Sequence, residues 1–385
     1  GHHNALYVHL TLIPYVRSAE EIKTKPTQHS VGKLREIGIQ PDILICRTEK
    51  ALSDDIREKI SLFCNVNKDA VIEARDAESI YQIPLVFKEQ GLDKIILSQF
   101  QLKSKSTDLR DWKEKVVERA IHPHHKVAVA VVGKYIGLQD AYKSIYESLI
   151  HAGIYNDAKV IIKKIDSEEI EKHGIGSLLD DVSGILVPGG FGYRGIEGKI
   201  KAIRYARENK IPFLGLCLGM QCAVIEFSRN ACGLKRANST EFDRKAKYPV
   251  ISLLEEQKHV KDMGGTMRLG VYPCKVRKGS LAYKVYKKGL IFERHRHRYE
   301  FNNKYKNLLE KKGMVFSGIY PKKNLVEMVE ISNHPFFLAV QYHPEFKSKP
   351  DKPHPLFRDF ITAALDRNRH CEEPKATKQS QKRLL

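Results

Sequence analysis

Cys217 has the residue type and the local sequence of a thiol nucleophile. It lies in IPFLGLCLGMQ (211–221), between an apolar run and a segment with helical spacing. We expect a sharp strand-to-helix turn there, which presents the thiol at the carboxyl edge of a parallel sheet and next to a helix N-terminus. Taken alone, this segment fits a nucleophile and a buried structural cysteine about equally well.

A second segment supplies a base and a group to orient it. Phe336–Tyr342 has the pattern of a strand and leads into His343-Pro344-Glu345. His343 could accept the thiol proton, and Glu345 could hold the imidazole in one tautomer. A cysteine at a strand-to-helix turn together with this His-x-Glu is much more specific than either segment alone.

A glycine-rich segment completes the set that acyl transfer needs. The apolar strand pattern of Gly184–Val187 is followed by PGGFG (188–192). Backbone N–H groups of such a loop can face a developing oxyanion, and each donor is typically worth about 3–4 kcal/mol of barrier. Glycine-rich loops more often bind phosphate or form a turn, so this assignment depends on the other two segments.

Strands and helices that could position these residues alternate from Lys126 onward. This pattern predicts an α/β fold with a mostly parallel sheet covered by helices. The predicted strands are 127–132, 158–165, 184–187 and 211–216, and the predicted helices are 140–152, 195–208 and 218–228. In the first hundred residues we expect strands at Tyr7–Pro14 and Asp42–Cys46, and helices at Ser30–Gly38, Asp54–Phe63 and near Glu78–Gln90.

Several longer strings carry a family resemblance. They are KTKPTQHS (23–30), LFCNV (62–66), VPGGFGYRGIEGKI (187–200), GGTMRLG (264–270) and ERHRHRYEFNN (293–303). With the segments around Cys217 and His343, they resemble the CTP synthase family over roughly residues 1–365. The resemblance implies a ligase that aminates UTP to CTP with ATP, using ammonia that a class I glutamine amidotransferase domain releases from glutamine.

The resemblance also implies a domain order and exposes one departure. The family's synthetase domain opens with a P-loop, whereas no G-x-x-x-x-G-K-[ST] occurs in this sequence. We therefore expect a C-terminal fragment of such an enzyme, with a truncated P-loop-type synthetase (amidoligase) domain. The expected parts are that domain at 1–102, a linker at 103–125, the amidotransferase domain at 126–366 and a disordered basic tail at 367–385.

Site residues are carried over from the family position by position. The implied catalytic residues are Cys217, His343 and Glu345, and the implied glutamine contacts are Gly190, Leu218, Gln221, Glu241 and Arg298. The implied UTP or CTP contacts are Lys23, Thr24, Lys25, Pro26, Thr27, Gln28 and Lys59, with Ala77 as a partial ATP contact and no metal ligand. The resemblance further suggests a GTP effector near a lid at Gly264–Gly270 and the cationic run Arg294–Arg298, with Arg268 as a phosphate contact.

Composition agrees with an enzyme that acts on small molecules. The formal net charge is +20, but the lysines are scattered, so we expect neither nucleic acid nor membrane as a partner. Seven cysteines without tight pairing suggest a reducing, cytoplasmic location. The expected partners are glutamine, UTP, CTP, ATP and GTP, with Mg²⁺ and ATP as cofactors of the complete enzyme and a homotetrameric assembly implied by the family.

Two alternative functions stay open from the sequence. The chain could be a glutaminase that serves another acceptor, although the strings in the first hundred residues favour the CTP pattern. It could also be a non-catalytic, nucleotide-binding remnant, which an assay of glutamine hydrolysis would separate from an enzyme.

Overall fold

Strands and helices alternate along the chain in the computed structural model, which describes residues 4–104, 107–253 and 267–381. The chain divides into two units, Gly1–His122 and Pro123–Leu385. The boundary falls inside the linker expected at 103–125, while the domain bounds of the sequence analysis stay predictions.

The first unit is an α/β unit around a parallel sheet. Its strands are β1 (Val8–Leu12), β2 (Tyr15–Val16), β3 (Glu21–Ile22), β4 (Ile43–Thr48) and β5 (Val71–Arg75), and its helices are α1 (Lys25–Glu36), α2 (Asp54–Cys64), α3 (Ile83–Glu89), α4 (Leu92–Gln99), α5 (Arg110–Trp112) and α6 (Glu118–Ile121). The parallel sheet has the order β1-β4-β5, and β2 and β3 form a separate antiparallel pair. Its core includes Ile13, Ile43, Leu44 and Ile60, all fully buried.

Two details of this unit follow from single residues. Helix α1 begins at Lys25, earlier than the predicted start at Ser30, because Pro26 fits the first turn of a helix. Between α5 and α6 the chain forms a π-helical turn, Lys113–Val117. The indole Nε1 of Trp112 donates a hydrogen bond of 2.8 Å to the carbonyl oxygen of Tyr81 and anchors this segment.

The second unit contains the elements that the alternating pattern predicts. Its strands are β6 (His125–Gly133), β7 (Ala158–Asp166), β8 (Gly184–Val187), β9 (Phe213–Leu216), β10 (Ala237–Ser239), β11 (Tyr248–Ser252), β12 (Arg268–Val276), β13 (Leu290–His297), β14 (Glu300–Phe301), β15 (Met314–Tyr320), β16 (Leu325–Ile331) and β17 (Phe337–Val340). Its helices are α7 (Lys143–Tyr155), α8 (Ser167–His173), α9 (Ile196–Glu208), α10 (Leu218–Asn230), α11 (Leu281–Tyr286), α12 (Lys306–Lys311) and α13 (Pro355–Gln381).

One large sheet organises this unit, with the order β13-β12-β15-β16-β17-β9-β8-β6-β7. Strands β17, β9, β8, β6 and β7 pair in parallel, whereas β12, β13, β15 and β16 form an antiparallel extension. The predicted α/β class is confirmed. The parallel strands β8, β9 and β17 are apolar and buried along their whole length, as expected for strands covered by helices, whereas the edge strand β7 is partly exposed.

The described part of the C-terminal segment is helical, since helix α13 continues to Gln381. The expectation of a disordered basic tail at 367–385 stays a prediction, and residues 382–385 lie outside the described residues. The segment is rich in Arg, Lys, Glu, Gln and Ala, which have high helix propensity, so its polar composition is compatible with a helix. Among the described residues, no helix is both long enough and apolar enough to span a membrane.

Two glycines let helix α10 pack directly against the strands that carry the candidate site. A Cβ atom on Gly219 would lie 2.2 Å from the carbonyl oxygen of Val187, at the end of β8. A Cβ atom on Gly215, in β9, would lie 2.9 Å from the Cβ of Ala339 in β17. The close approach therefore depends on the missing side chains.

We predict that Gly219→Ala lowers the free energy of unfolding of the chain by about 1–3 kcal/mol, because the added methyl group has to displace backbone in a packed interior. Gly289→Ala is the matched control, since a Cβ atom there meets nothing within 4 Å. Thermal unfolding followed by circular dichroism measures both. Equal stability of the two variants would contradict this account of the packing.

Candidate active site

Cys217 occupies the strand-to-helix turn between β9 and α10. Its φ is +51° and its ψ is −101°, a backbone conformation that non-glycine residues rarely adopt. The N–H of Cys217 donates a 2.7 Å hydrogen bond to the carbonyl oxygen of Val340, and its carbonyl accepts the N–H of Met220 at 3.1 Å. The side chain is only 3% exposed. The predicted turn is present, and both neighbouring elements hold it.

His343 lies beside this turn because of strand register. Strands β9 and β17 pair in parallel, with Leu216 opposite Val340, so the residues that follow them emerge at the same edge of the sheet. The N–H of His343 donates to the carbonyl oxygen of Arg294 at 2.8 Å. Strand β17, which leads into His343, and strand β13, which contains Arg294, thus hold the backbone from which the imidazole extends.

Glu345 contacts the imidazole directly. Its Oε1 lies 2.8 Å from Nδ1 of His343. Because a carboxylate only accepts hydrogen bonds, Nδ1 carries the proton and Nε2 is left for proton exchange with a reacting group. Burial alone lowers the pKa of His343, but the charge of Cys217 and a hydrogen bond with it, together with Glu345, raise that pKa to about 10. The protonated imidazole of His343 is the form that these contacts favour.

The glycine-rich loop after β8 closes around the same residues. A Cβ atom on Gly189 would lie 3.0 Å from Cε1 of His343 and 3.4 Å from Cβ of Cys217. One on Gly190 would lie 3.4 Å from Cδ2 of Leu218, the first residue of α10. The first N–H groups of a helix have no intrahelical acceptor. The N–H of Leu218, at the start of α10, and that of Gly190, in the adjacent loop, are therefore candidate donors to the oxyanion of a carbonyl group that Cys217 attacks.

A cavity of about 60 Å³ adjoins Cys217 and is lined by most of the residues that are predicted to contact glutamine. Gly190, Gln221, Glu241 and Arg298 line it. One Glu241 oxygen accepts the N–H of Gly192 at 2.9 Å. Burial raises the pKa of Glu241, against the opposing effects of that N–H and of Arg298. The cavity thus offers an acidic and a basic group, which match the ammonium and the carboxylate of an amino acid.

A second opening of about 460 Å³ is lined by both Cys217 and His343. Its lining includes Tyr135, Tyr142 and Phe346, to which the sequence analysis assigned no role. Tyr135 and Tyr142 lie in GKYIGLQDAYKS (133–144), and Phe346 directly follows the His-x-Glu segment. Of these three residues, only Phe346 could have been found from the sequence, because it is adjacent to the His-x-Glu segment.

The cationic run at 293–298 is divided by strand alternation. In β13, Glu293, His295 and His297 are buried, while Arg294 and Arg296 are exposed on the opposite face. Burial and the positive charges nearby lower the pKa of His295 to about 2 and that of His297 to about 3, so both imidazoles are neutral near pH 7. The repulsion expected from five adjacent cations is therefore largely absent.

Arg268 has a different role from the one the sequence suggested. We expected a GTP-phosphate contact, but Arg268 is only 8% exposed, and its Nη1 lies 3.0 Å from Glu300 and 2.9 Å from Glu327. Its guanidinium also stacks on the rings of Tyr272 and Tyr320, at 4.5 and 4.9 Å from their centroids. The expectation is corrected, because two carboxylates already occupy this cation. Residues 264–266 of the expected lid lie outside the described residues.

The buried cluster around Arg268 contains atoms that could bind a metal ion, but these atoms are engaged in other contacts. Candidate ligand atoms of His295, His297 and Glu327 lie within 4.8 Å of one another. However, Nδ1 of His295 and Nε2 of His297 are 2.9 Å apart and hydrogen-bonded, and Arg268 contacts Glu327. These contacts describe a hydrogen-bonded ionic cluster that connects β12, β13 and β16.

A further buried carboxylate fastens the segment after His343 to β13. Glu293 contacts His354 Nε2 through Oε1 and Lys347 Nζ through Oε2, each at 3.1 Å. Lys347 also donates to the carbonyl oxygen of Phe292 at 2.6 Å. The turn that carries Glu345 is thereby held at both ends.

In the first unit, the basic residues expected to bind UTP or CTP lie around Glu21. A hydrogen bond and the charge of Lys23 lower the pKa of Glu21, with a smaller contribution from Lys59, so these two lysines share one neighbourhood. Lys25 and Pro26 are exposed at the start of α1. Lys59 is exposed as well, whereas Lys23 is half-buried and paired with Glu21.

The polar residues of the same segment face inward. Oγ1 of Thr27 lies 3.0 Å from Oγ1 of Thr11 and donates to the carbonyl oxygen of Leu12 at 3.2 Å. Gln28 donates to Oγ1 of Thr24 at 3.1 Å, and both threonines are buried. Thr27 thus fastens α1 to β1, which is a structural role.

Ala77, the expected ATP contact, is exposed in the loop that follows β5. It therefore lies at the carboxyl edge of the parallel sheet, where open α/β sheets bind ligands. The neighbouring Asp76 is paired with Arg47 at 2.6 Å.

The buried Arg268 cluster makes a prediction about pH. Burial is the main cause that raises the pKa of Glu300 to about 8 and that of Glu327 to about 7, from an ordinary value of 4.5. The folded state then binds these protons more tightly than the unfolded state. Their contribution to stability is complete below about pH 4.5 and is lost as the pH rises towards 8.

We predict that Glu327→Gln flattens the fall in the free energy of unfolding between pH 5 and 8, because the amide stays neutral throughout. Exposed Glu310→Gln is the control and keeps the original profile. Denaturant unfolding at a series of pH values measures the difference. Parallel profiles for the original chain and Glu327→Gln would show that this carboxyl does not titrate in that range.

Two family models match this chain. The model described as "CTP synthase N-terminus" matches residues 1–102, and that described as "Glutamine amidotransferase class-I" matches residues 137–363. The expectation of a C-terminal fragment gains no support from this result, because the N-terminal family model covers the first residues of the chain.

Known proteins give the same assignment. A CTP synthase from Caldanaerobacter subterraneus is 57% identical over 366 residues, which are 95% of this chain and 68% of that protein. A CTP synthase from Methanocaldococcus jannaschii is 57% identical over 371 residues, with the same coverage. The glutaminase domain of Trypanosoma brucei CTPS, solved with bound acivicin, is 40% identical and has a TM-score of 0.59, covering 62% of this chain and 94% of that domain. The chain belongs to the CTP synthase family of glutamine-hydrolysing ligases.

Proposed function

We propose that the second unit hydrolyses glutamine with Cys217 as nucleophile, His343 as base and Glu345 as the group that orients the base. The observation that carries the proposal is the single arrangement of a strained, buried cysteine beside a histidine whose Nδ1 is 2.8 Å from a carboxylate. The ammonia released serves the amination of UTP to CTP, which is the reaction of the family.

The reaction follows from the positions of the groups. The Cys217 thiolate attacks the side-chain amide carbon of glutamine, and the oxyanion accepts hydrogen bonds from the N–H groups of Gly190 and Leu218. His343 transfers its Nε2 proton to the leaving nitrogen, so ammonia departs and a γ-glutamyl thioester forms. Water then attacks the thioester with His343 as base, which regenerates the thiol and releases glutamate.

Recognition of the amino acid is assigned to the small cavity. Arg298 pairs with the α-carboxylate, Glu241 pairs with the α-ammonium, and Gln221 supplies a further polar contact. The raised pKa of Glu241 reflects the cost of burying its charge, which an incoming ammonium group offsets.

The proposed nucleotide site lies in the first unit. Lys23, Lys59 and the start of α1 form the proposed UTP or CTP site, because two lysines near one acidic residue offer cationic contacts to a triphosphate. ATP and Mg²⁺ use is typical of the family. The described residues around Ala77 do not by themselves fit a magnesium–ATP group, since Asp76 is engaged by Arg47.

Regulation and assembly are proposed from the family alone. They comprise activation by GTP, binding of CTP, a homotetrameric assembly and a cytoplasmic location. The alternative of a different acceptor is not favoured, because residues 1–102 match the CTP synthase N-terminus.

A matched pair of cysteines tests the nucleophile. Cys217→Ala is expected to abolish glutamine hydrolysis, whereas Cys222→Ala, one turn further along α10, is expected to retain it. Cys222 is fully buried and burial raises its pKa to about 12, so it is not a nucleophile near pH 7. Release of glutamate from glutamine measures both variants. Glutamine hydrolysis by Cys217→Ala would refute the assignment of Cys217 as the nucleophile and would support the alternative that this site is not catalytic.

A second comparison separates the base from the group that orients it. We expect His343→Ala to lose thioester formation, because the change removes the group that takes the thiol proton and protonates the leaving nitrogen. Glu345→Gln should keep a reduced rate, since the amide can still contact the ring but stabilises the imidazolium less. Rapid-quench measurement of the acyl-enzyme in correctly folded variants reports each step. Complete loss in both would mean that Glu345 does more than orient the ring.

A further inference from the structure

Gln341, which the sequence analysis did not assign, contacts the proposed nucleophile. It directly follows β17 and is fully buried. Its Nε2 lies 3.7 Å from Sγ of Cys217 and donates to it. Its backbone N–H donates to the carbonyl oxygen of Glu327 at 2.9 Å, and this hydrogen bond holds the backbone to which the side chain is attached.

The neighbouring hydrogen bonds determine which way this amide faces. Nε2 of Gln221 lies 3.3 Å from the carbonyl oxygen of Tyr299, and a carbonyl can only accept, so the amide nitrogen of Gln221 is correctly placed there. The same nitrogen donates to Oε1 of Gln341 at 3.3 Å. With its oxygen committed to Gln221, Gln341 has only its NH₂ group to direct at the sulfur.

We propose that Gln341 is a further catalytic residue, whose side-chain amide donates a hydrogen bond to the Cys217 thiolate and holds it in the attacking position. This inference rests on the proposed function of Cys217. A buried thiolate has lost its water and needs donors, and hydrogen bonds to a charged acceptor are roughly twice as strong as neutral ones. His343 faces the same sulfur, with Glu345 behind it. Other titratable or charged groups line the openings that Cys217 adjoins: Glu241, His297, Arg296 and Arg298.

The amide chain also connects the nucleophile to the substrate cavity. Gln221 lines the small cavity and begins the chain Tyr299–Gln221–Gln341–Cys217. A packing role for Gln341 would require only its volume. A donor role requires the N–H, and this difference makes the proposal testable.

The test replaces the donor with apolar groups of similar size, Gln341→Leu and Gln341→Met, in the full chain. The rate of alkylation of Cys217 by iodoacetamide is measured against pH by peptide mapping, without glutamine. Asn156→Leu is the control, because Asn156 also donates through a half-buried amide, at 2.8 Å to the carbonyl oxygen of Ala152 in helix α7. Circular dichroism establishes folding, and Gln341→Met decides the question if Gln341→Leu does not fold.

We expect the lower pH midpoint of Cys217 alkylation to move upward by about one unit in the Gln341 variants, and kcat for glutamine hydrolysis at pH 7 to fall roughly tenfold with little change in KM. The control should keep both values. An unchanged midpoint and kcat in a folded Gln341 variant would overturn the proposal. Failure of the proposed function is distinguishable, because a glutamine analogue would then not label Cys217 in the unaltered chain.

Discussion

The parallel pairing of β9 with β17 is the constraint on which the candidate site depends. It places Leu216 opposite Val340, and the hydrogen bond from the N–H of Cys217 to Val340 extends the pairing by one residue. Both chains then leave the sheet at one edge, where one supplies the thiol and the other supplies the imidazole. A shift of register would move the two groups apart and reverse the faces of their strands. Precise placement of the two reacting groups is thus a property of the sheet.

The antiparallel extension supports this edge from the outside. Strand β13 accepts the N–H of His343 at Arg294 and holds Lys347 through Glu293, while its far end leads to Arg298. Its buried face is polar because it packs on the Arg268 cluster, which connects it to β12 and β16. Buried charges of this kind are costly unless they are paired, so the cluster favours one arrangement of these strands. The positions of the proposed triad and of the small cavity therefore depend on this network, which reaches the cavity through His297.

The sequence predicted the parallel half of the second unit well, because each strand there is a short apolar run and each helix is amphipathic. The turn at Cys217 and the His-x-Glu segment were predictable for the same reason. Strands β12 and β13 were not predictable in this way. Arginine and histidine occur among their alternating residues, and in the sequence these residues resemble a solvated cationic segment. Arg268 was misassigned because a sequence does not show that Glu300 and Glu327 meet it. Gln341 was missed because its role depends on the orientation of a second amide, which only coordinates reveal.

The positive φ at Cys217 affects the stability of the folded chain. A positive φ at a residue with a side chain costs of order 1–3 kcal/mol, which glycine would avoid. Glycine at this turn would avoid that cost and would make the chain more stable, but it would remove the thiol. The stability cost of Cys217 therefore falls on the one residue whose side chain the proposed reaction needs.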